Sequence, residues 1–379
     1  RLINEYSLEK LRRSLYEYNF DSVLEGSNEE SIEELTKVIN DAYDICCPRR
    51  SKILSPKSLT KPWVDHEILI LIRKRNSYFV LFRQGKVSKK IYTDFRNFVT
   101  HRIRKAKRQY FHRKFNEYKG NIKKTWSLIN QIIKPNARRR GTSIEQIVVN
   151  NTVYKDNQSI ANIVNDFFVN VGAPVGDGDV DRMKYLTYLR GDFPRSFFFR
   201  PVSHVDVRNV ILSLKNKSSD SSTYFIKILK YVSEVISPIL AEIINRSFTC
   251  GEFPNMLKVA KVIPIPKPGD PTDISNYRPI SILPIFSKVY EKIACSQLYG
   301  YLEGRNVFFT DQYGFRSGHS TVQAVMNQLQ YIYNSLDSGE IVLSFFIDFR
   351  KAFDSVDHEI LLSKLAHYGV RGVAGEWVR

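Results

Sequence analysis

Between Arg73 and Lys119 the chain carries sixteen Lys or Arg against two acids, Asp94 and Glu117, a net charge of +14 in 47 residues. A stretch this charged folds only if its cations face solvent and enough apolar surface remains to bury. The apolar material is aromatic: Tyr78, Phe79, Phe82, Tyr92, Phe95, Phe98, Tyr110, Phe111, Phe115 and Tyr118. Several stand three or four residues apart, which predicts amphipathic helices with the rings on one side. Pro62 and Trp63 open the pattern. Gln84-Gly85-Lys86 interrupts it, which predicts two antiparallel helices in a basic hairpin. Such a face displaces counterions from phosphates, with steeply salt-dependent affinity. Arg102, Arg104, Lys105, Lys107 and Arg108 are its densest cluster and the expected contacts to a nucleic-acid backbone. The competing reading gives the aromatics to a small core and leaves the charges solvated.

The whole chain has 379 residues, 57 Lys plus Arg against 39 Asp plus Glu, and a net charge of +18, which favours an anionic partner. Hydrophobic residues at 43% and charged residues at 25% are ordinary for a globular protein and argue against wholesale disorder. No apolar run reaches the roughly 20 residues of a membrane-spanning helix, so no membrane partner is expected. Cys46, Cys47, Cys250 and Cys295 form no Cys-x-x-Cys pair, which gives no support to a zinc site and suits free thiols in a reducing compartment. The chain opens on Arg1 with no secretory leader and reads as a segment of something longer.

Four stretches succeed one another along the chain. Residues 1–60 read as a helical segment, with Ile32, Leu35, Val38 and Ile39 at helical spacing, and a linker from Pro48 to Pro62. Residues 61–140 are the basic helical region, closed by an exposed linker at Arg138-Arg139-Arg140. Residues 141–204 read as an N-terminal extension of the fourth stretch, residues 205–379. Within that extension, Ile147 to Tyr154 predicts a hairpin turning at Asn150-Asn151, and a helix is expected from Asn157 to Val171. Asp177, Asp179 and Asp181 alternate like the start of a calcium loop. Arg182 and Tyr188 stand where that loop needs Gly and Glu, so calcium is rejected. Residues 205–379 carry the chemistry. Ser203 is a fitting N-cap for a helix through Val207, Val210 and Leu214, and a polar stretch, Lys215 to Thr223, separates it from a second helical stretch ending at Cys250.

Val259 to Asp270 reads as a strand closed by a Pro-Gly turn, and Asn276 to Leu283 as its return. The alternate prolines cannot donate to a ladder, so this is an edge ribbon. It puts Lys267 near Arg278, two cations able to clamp a polyphosphate; a solvated basic turn is the alternative. A helix is expected from Phe286 to Leu302. Gln312 to Thr321 is a glycine-punctuated turn, capped by Ser320 into a helix reaching Leu336. Ile341-Val342-Leu343-Ser344-Phe345-Phe346-Ile347 is a continuous apolar run of the kind that forms a fully buried strand, and it ends in Asp348. A carboxylate there calls for a cation or dense hydrogen bonding. Ser355 is the expected cap of a helix with Asp357 and Glu359 in its first turn.

Taken together, IPIPKPGD, NYRPISIL, QYGFRSGHST and FFIDFRKAFDSVDHEILLSKL resemble the successive fingers and palm motifs of reverse transcriptases, in the form carried by non-LTR (LINE-type) retrotransposons. The resemblance covers about Val205 to Arg379, and Lys61-Pro62-Trp63 resembles the linker such polyproteins carry ahead of the polymerase. It implies an α+β chain: a basic all-helical N-terminal region, then the fingers and partial palm of a right-hand polymerase. By that resemblance Asp348 is the first palm carboxylate and binds metal, with the Phe349 carbonyl as a further ligand. Lys267 and Arg278 hold the incoming triphosphate, and Phe353 is the gate against a 2′-hydroxyl. Gln312, Gly314, Phe315 and Arg316 lie beside template and primer. The resemblance further implies Mg2+ (or Mn2+), an RNA template, a DNA primer or target, dNTPs, and a ribonucleoprotein of nucleus and cytoplasm. Asp354, Asp357, His319 and His358 are given structural roles.

The family takes its other carboxylates from a Tyr/Phe-x-Asp-Asp hairpin, and this chain contains no Asp-Asp dipeptide. The expectation is that the chain alone does not polymerise. Two other readings stay open: a truncated copy that only binds nucleic acid, and a carboxylate hydrolase using Asp348 and Asp354. An intron maturase fits the linker and the QYGFRSGHST form less well.

Overall fold

A computed structural model describes residues 3–48, 61–133, 144–170, 184–189, 191–215, 222–349 and 352–379. The linkers expected near 49–60 and 136–141, the Asp177–Asp181 loop and most of the polar Lys215–Thr223 stretch lie outside the described residues. The described chain is mostly helical, with two short β-ribbons. It divides into two compact units: residues 1–49 with 144–379, and residues 50–143.

Helices α1 (Glu5–Tyr16), α2 (Asp21–Glu25) and α3 (Asn28–Cys46) open the first unit. Ser27 caps α3 reciprocally: its hydroxyl accepts from the Glu30 amide at 3.3 Å, and Glu30 accepts from the Ser27 amide at 2.8 Å. Ile32, Leu35, Val38 and Ile39 are all buried, as their spacing predicted. These residues do not form a core of their own. They share one with Val207, Ile211, Ile228, Leu240, Ile244 and Val289, far along the chain. Each fully buried Leu or Ile of this set contributes about 1.5–3 kcal/mol.

The second unit holds α4 (His66–Arg83), α5 (Lys89–Glu117) and α6 (Ile122–Ile133). The predicted hairpin is present and turns at Gly85, whose φ of +72° suits glycine. Helix α4 starts later than Pro62-Trp63 suggested, because Asp65 is the cap and accepts from the Ile68 amide at 2.8 Å. Rings zip the two helices together: Tyr78 on Phe95 with centroids 4.9 Å apart, and Tyr92 stacked on Phe82 at 5.6 Å.

Back in the first unit, β1 (Ile147–Val149) and β2 (Thr152–Tyr154) form the predicted ribbon, with Asn150 and Asn151 at φ +48° and +61°. Helix α7 (Asn157–Val169) comes next, then α8 (His204–Ser213), capped by Ser203 as expected, and α9 (Ser222–Tyr231). Helix α10 (Ser233–Cys250) ends at Gly251, in the left-handed region at φ +73°. A Cβ at Gly251 would meet the Val373 carbonyl oxygen at 2.9 Å, so the C-cap and this close approach both demand glycine. The short α11 (Asn255–Lys258) leads into the antiparallel ribbon β3 (Lys261–Pro266) and β4 (Tyr277–Ile282). Then come α12 (Ile285–Glu303), α13 (Thr321–Asp337), α14 (His358–His367) and α15 (Val373–Val378).

Two expectations need correcting. Ile341–Ile347 is not a buried strand: these residues have no regular structure, and Ile341, Phe345 and Ile347 are 98%, 81% and 80% exposed. A strand exists only by pairing, and the described strands pair only β1 with β2 and β3 with β4, not with this run. Helix α14 is capped not by Ser355 but by Asp357, whose carboxylate accepts from the Ile360 amide at 3.1 Å.

Candidate functional site

The β3–β4 ribbon is the best-built part of the candidate site. Its register pairs Ile265 with Arg278, and the Lys267 amide donates to the Asn276 carbonyl. Lys267 is therefore two residues from Arg278's partner, and the two cations share a face as diagonal neighbours. Arg278 is exposed; Lys267 is half-buried, and its ammonium donates to the Ser275 carbonyl at 3.3 Å. The loop between the strands is tied at each step. Asp270 accepts from both the amide and the hydroxyl of Thr272, each at 2.8 Å, and these bonds hold its carboxyl below the usual carboxylate range. Asn276 donates to the Asp270 carbonyl at 3.0 Å, and the Tyr277 hydroxyl to the Pro271 carbonyl at 2.6 Å. The Val148 amide of β1 donates to the Thr272 carbonyl at 3.0 Å, so the small upstream ribbon braces the loop that carries Lys267. No local sequence signal announces that brace.

The turn from Gln312 to Ser320 is the second element. Gln312 bends back to donate to the Gly314 carbonyl at 3.2 Å. Phe315 sits at φ +60° and is 89% exposed, an unusual state for a bulky residue. Arg316 behaves otherwise. Its side chain is only 11% exposed and donates to Glu303 at 2.8 Å and to the Phe309 carbonyl at 2.9 Å. Its role here is to hold the turn on the end of α12. Glu303 lies thirteen residues upstream, so nothing local in sequence marks the pair. The Nε of Arg316 and one Glu303 oxygen are buried without a partner.

The acidic end is open. Asp348 and Phe349 lie in the exposed stretch after Ile347, and Arg350 and Lys351 are outside the described residues. Phe353 is 77% exposed and meets Phe315 edge-on at 5.7 Å. The structure thus joins the expected sugar gate to the glycine-rich turn. No hydrogen bond or ion pair joins Asp348 to Lys267 or Arg278 among the described residues. Nor do the described residues bring three His, Cys, Asp or Glu together so that they could hold a metal ion. At Asp348 the described residues supply fewer than three such ligands, short of a hard-cation shell, so these residues alone do not fit the metal.

In the second unit the five candidate backbone cations separate. Arg102 pairs with Glu67 at 3.7 Å, and Lys107 lies over the Trp63 ring at 5.4 Å. Arg104, Lys105 and Arg108 are exposed and meet no partner among the described residues. Trp63 itself packs between Tyr110 at 5.9 Å and Phe111 at 5.5 Å.

Comparison with known proteins points to the same segment. The family described as "Reverse transcriptase (RNA-dependent DNA polymerase)" matches residues 265–379. The "Probable RNA-directed DNA polymerase from transposon BS" of Drosophila melanogaster is 37% identical over 138 residues, 35% of this chain and 15% of that protein. The corresponding X-element protein of the same fly is 38% identical over 107 residues, 28% of this chain and 12% of that protein. The "RNA-directed DNA polymerase from mobile element jockey" is 29% identical over 179 residues, 47% of this chain and 20% of that protein. The chain thus spans a fifth or less of these relatives. Residues 265–379 are similar to the reverse transcriptase family and to RNA-directed DNA polymerases of fly transposons.

Proposed function

We propose that this chain is part of the RNA-directed DNA polymerase of a non-LTR retrotransposon. The observation that carries the reading is the braced β3–β4 ribbon, which lies within or beside the matched segment and sets Lys267 and Arg278 on one face. Two cations so placed neutralise a triphosphate, with Arg278 offering a two-pronged donor and Lys267 a point charge. Phe353 supports a wall beneath the sugar, with Phe315 fixing its edge. Asp348 is the first carboxylate for the Mg2+-dependent transfer that this family carries out. Among the described residues Asp348 belongs to no group of three potential metal ligands, so this chain's described residues do not complete that site. The reading extends to an RNA template, a DNA primer, dNTPs and a right-hand polymerase layout, in a ribonucleoprotein of nucleus and cytoplasm.

The test has two arms. A photoreactive dNTP should label the purified chain, and labelling should fall at least tenfold in a Lys267→Gln, Arg278→Gln variant. The reading frame should be followed past Arg379 to a Phe/Tyr-x-Asp-Asp hairpin and the longer protein assayed for primer extension on an RNA template. The 379-residue chain is expected to incorporate nothing, and the longer protein to lose incorporation on Asp348→Ala. Incorporation that survives Asp348→Ala would sink the assignment. A second reading, a nucleic-acid-binding module without catalysis, is favoured by the free cations of α5 and predicts binding with no dNTP labelling.

A further inference from the structure

The distribution of charge and rings on α5 says what kind of nucleic acid its free cations fit. Residues 50–143 hold 26 of the 57 Lys and Arg but only 4 of the 39 acids, a net charge of +22. The other unit, with 31 cations and 35 acids, carries −4. The excess positive charge that would draw a long polyanion therefore sits in the second unit.

Within that unit, α5 has two distinct sides. Tyr92, Phe95, Val99, Ile103, Ala106 and Tyr110 recur every three or four residues and are all buried or half-buried. Their rings are consumed against α4 and Trp63. On the opposite side, His101, Arg104, Lys105, Arg108 and His112 are all exposed and succeed one another at helical spacing. The stripe from His101 to His112 is about 16 Å long at 1.5 Å per residue. No acid interrupts it: Asp94 lies before it, and Glu117 beyond it is engaged by Lys114 at 2.6 Å. Apart from the imidazoles of His101 and His112 at its ends, no ring stands in it. Phe98, half exposed, lies at its flank, where it lines a shallow depression with Ile70, Leu71 and Arg102.

We propose that this stripe, centred on Arg104, Lys105 and Arg108, is a backbone grip for double-stranded nucleic acid that reads no bases. The proposal rests on the reading that the chain handles nucleic acid, and it names the form that this unit takes. Single-strand sites pair a cationic groove with exposed rings on which bases stack. Along this stripe the cations are exposed, the rings on the inner side of α5 pack in the seam, and the unit's exposed Phe and Trp rings, Phe79, Phe98 and Trp126, lie outside the stripe. A straight, rigid row of cations instead complements a duplex, which presents a phosphate charge about every 1.7 Å of its axis. DNA, RNA and hybrid duplexes share that chemistry, and the experiment separates them.

The experiment measures binding of the full 379-residue chain to labelled 16-bp duplexes of scrambled sequence. The probes are DNA, RNA and an RNA–DNA hybrid, with the matching single strands, titrated over a range of KCl by fluorescence anisotropy. At least one duplex is expected to bind more tightly than its single strands, without sequence preference. The R104Q/K105Q/R108Q variant should weaken duplex binding about ten- to a hundredfold near 0.1 M salt and flatten the log–log salt slope by about two to three. R102Q/K107Q, whose cations are already engaged, should lose less than about threefold. R104K/R108K should bind nearly as the parent does, which separates charge from fold, and circular dichroism should show unchanged helix. The proposal is overturned if the triple variant binds duplex as the parent does, or if single strands bind more tightly than every duplex. Loss of all nucleic-acid binding would overturn it together with the reading it rests on. dNTP labelling at Lys267 and Arg278 would then still stand or fall on its own.

Discussion

At the scale of single residues, cations divide into those that build the fold and those left for a ligand, and sequence alone does not separate them. Arg246 is the clearest builder. Its guanidinium donates to the Asn28 side chain and the Leu24 carbonyl, both at 2.8 Å, and to the Ser31 hydroxyl. It clamps α10 to α2 and α3 without an ion-pair partner among the described residues. Hydrogen bonds from a charged group are worth about 1.5–3 kcal/mol each when the partners are buried. Arg246→Met is expected to destabilise the first unit by about 3 kcal/mol, since it also orphans Asn28 and Ser31. Arg246→Lys should recover little, because a point charge cannot replace the planar fork. The urea midpoint of the far-UV signal checks both, and a methionine variant as stable as the parent would show that the clamp is idle. Arg316 belongs to the same class. The reverse transcriptase resemblance sets it beside template and primer, whereas here it is taken up by Glu303 and two backbone carbonyls. Lys267 and Arg278 were legible as a pair, because hairpin register is a two-residue rule that spacing reveals. Arg316 was not, because its partner is a helix end thirteen residues away.

At the scale of elements, caps and turns were legible, and pairing was not. Ser203, Ser320 and the Asn150-Asn151 turn stand where their chemistry demanded. Ile341–Ile347 shows the limit. Its apolar run states a preference for burial, but a ladder needs a second strand, and no periodicity in one segment supplies it. The Asn turn shows how a local rule reaches the site. Both central residues have positive φ, the type I′ geometry that matches strand twist, and Asn adopts it where most residues strain. The same ribbon sends the Val148 amide to the Thr272 carbonyl in the loop beside Lys267. Replacing both asparagines with alanine should cost the ribbon about 1–2 kcal/mol. Amide exchange at Val148 should then quicken about tenfold, and exchange at Asn276, inside the tied loop, should rise with it. Asn151→Gly should leave both slow. Faster exchange at Val148 with Asn276 unmoved would mean that the loop stands without its brace.

At the scale of the whole molecule, the boundary between units was partly legible. The change of composition near residue 61 marks where the basic unit's described structure begins. That residues 1–49 belong to the core of the distant C-terminal unit was not legible, because core membership is a long-range property of apolar faces. The two units also differ in kind. One closes a broad aliphatic core with a charge of −4; the other holds +22 over a narrow aromatic seam in which only Ile68, Val99 and Leu128 are buried among the described residues. Their stabilities should therefore respond unequally to ionic strength. Raising salt from about 0.01 M to about 0.1 M shortens the screening length from about 30 Å to about 10 Å. Arg104 and Arg108, four residues apart on α5, are about 6 Å apart along the axis. Repulsion from their neighbours and from α4 acts over longer distances, and that part is screened. Exchange protection of the α4 and α5 amides should rise severalfold over this range, while protection in α3, α10 and α12 should hardly move. A short duplex added at low salt should protect α5 as salt does, by supplying the counter-charge directly, and the R104Q/K105Q/R108Q variant should respond weakly to both. If α4 and α5 are equally protected at all salt concentrations, the aromatic seam outweighs the repulsion, and self-repulsion is not what this unit's stability balances against.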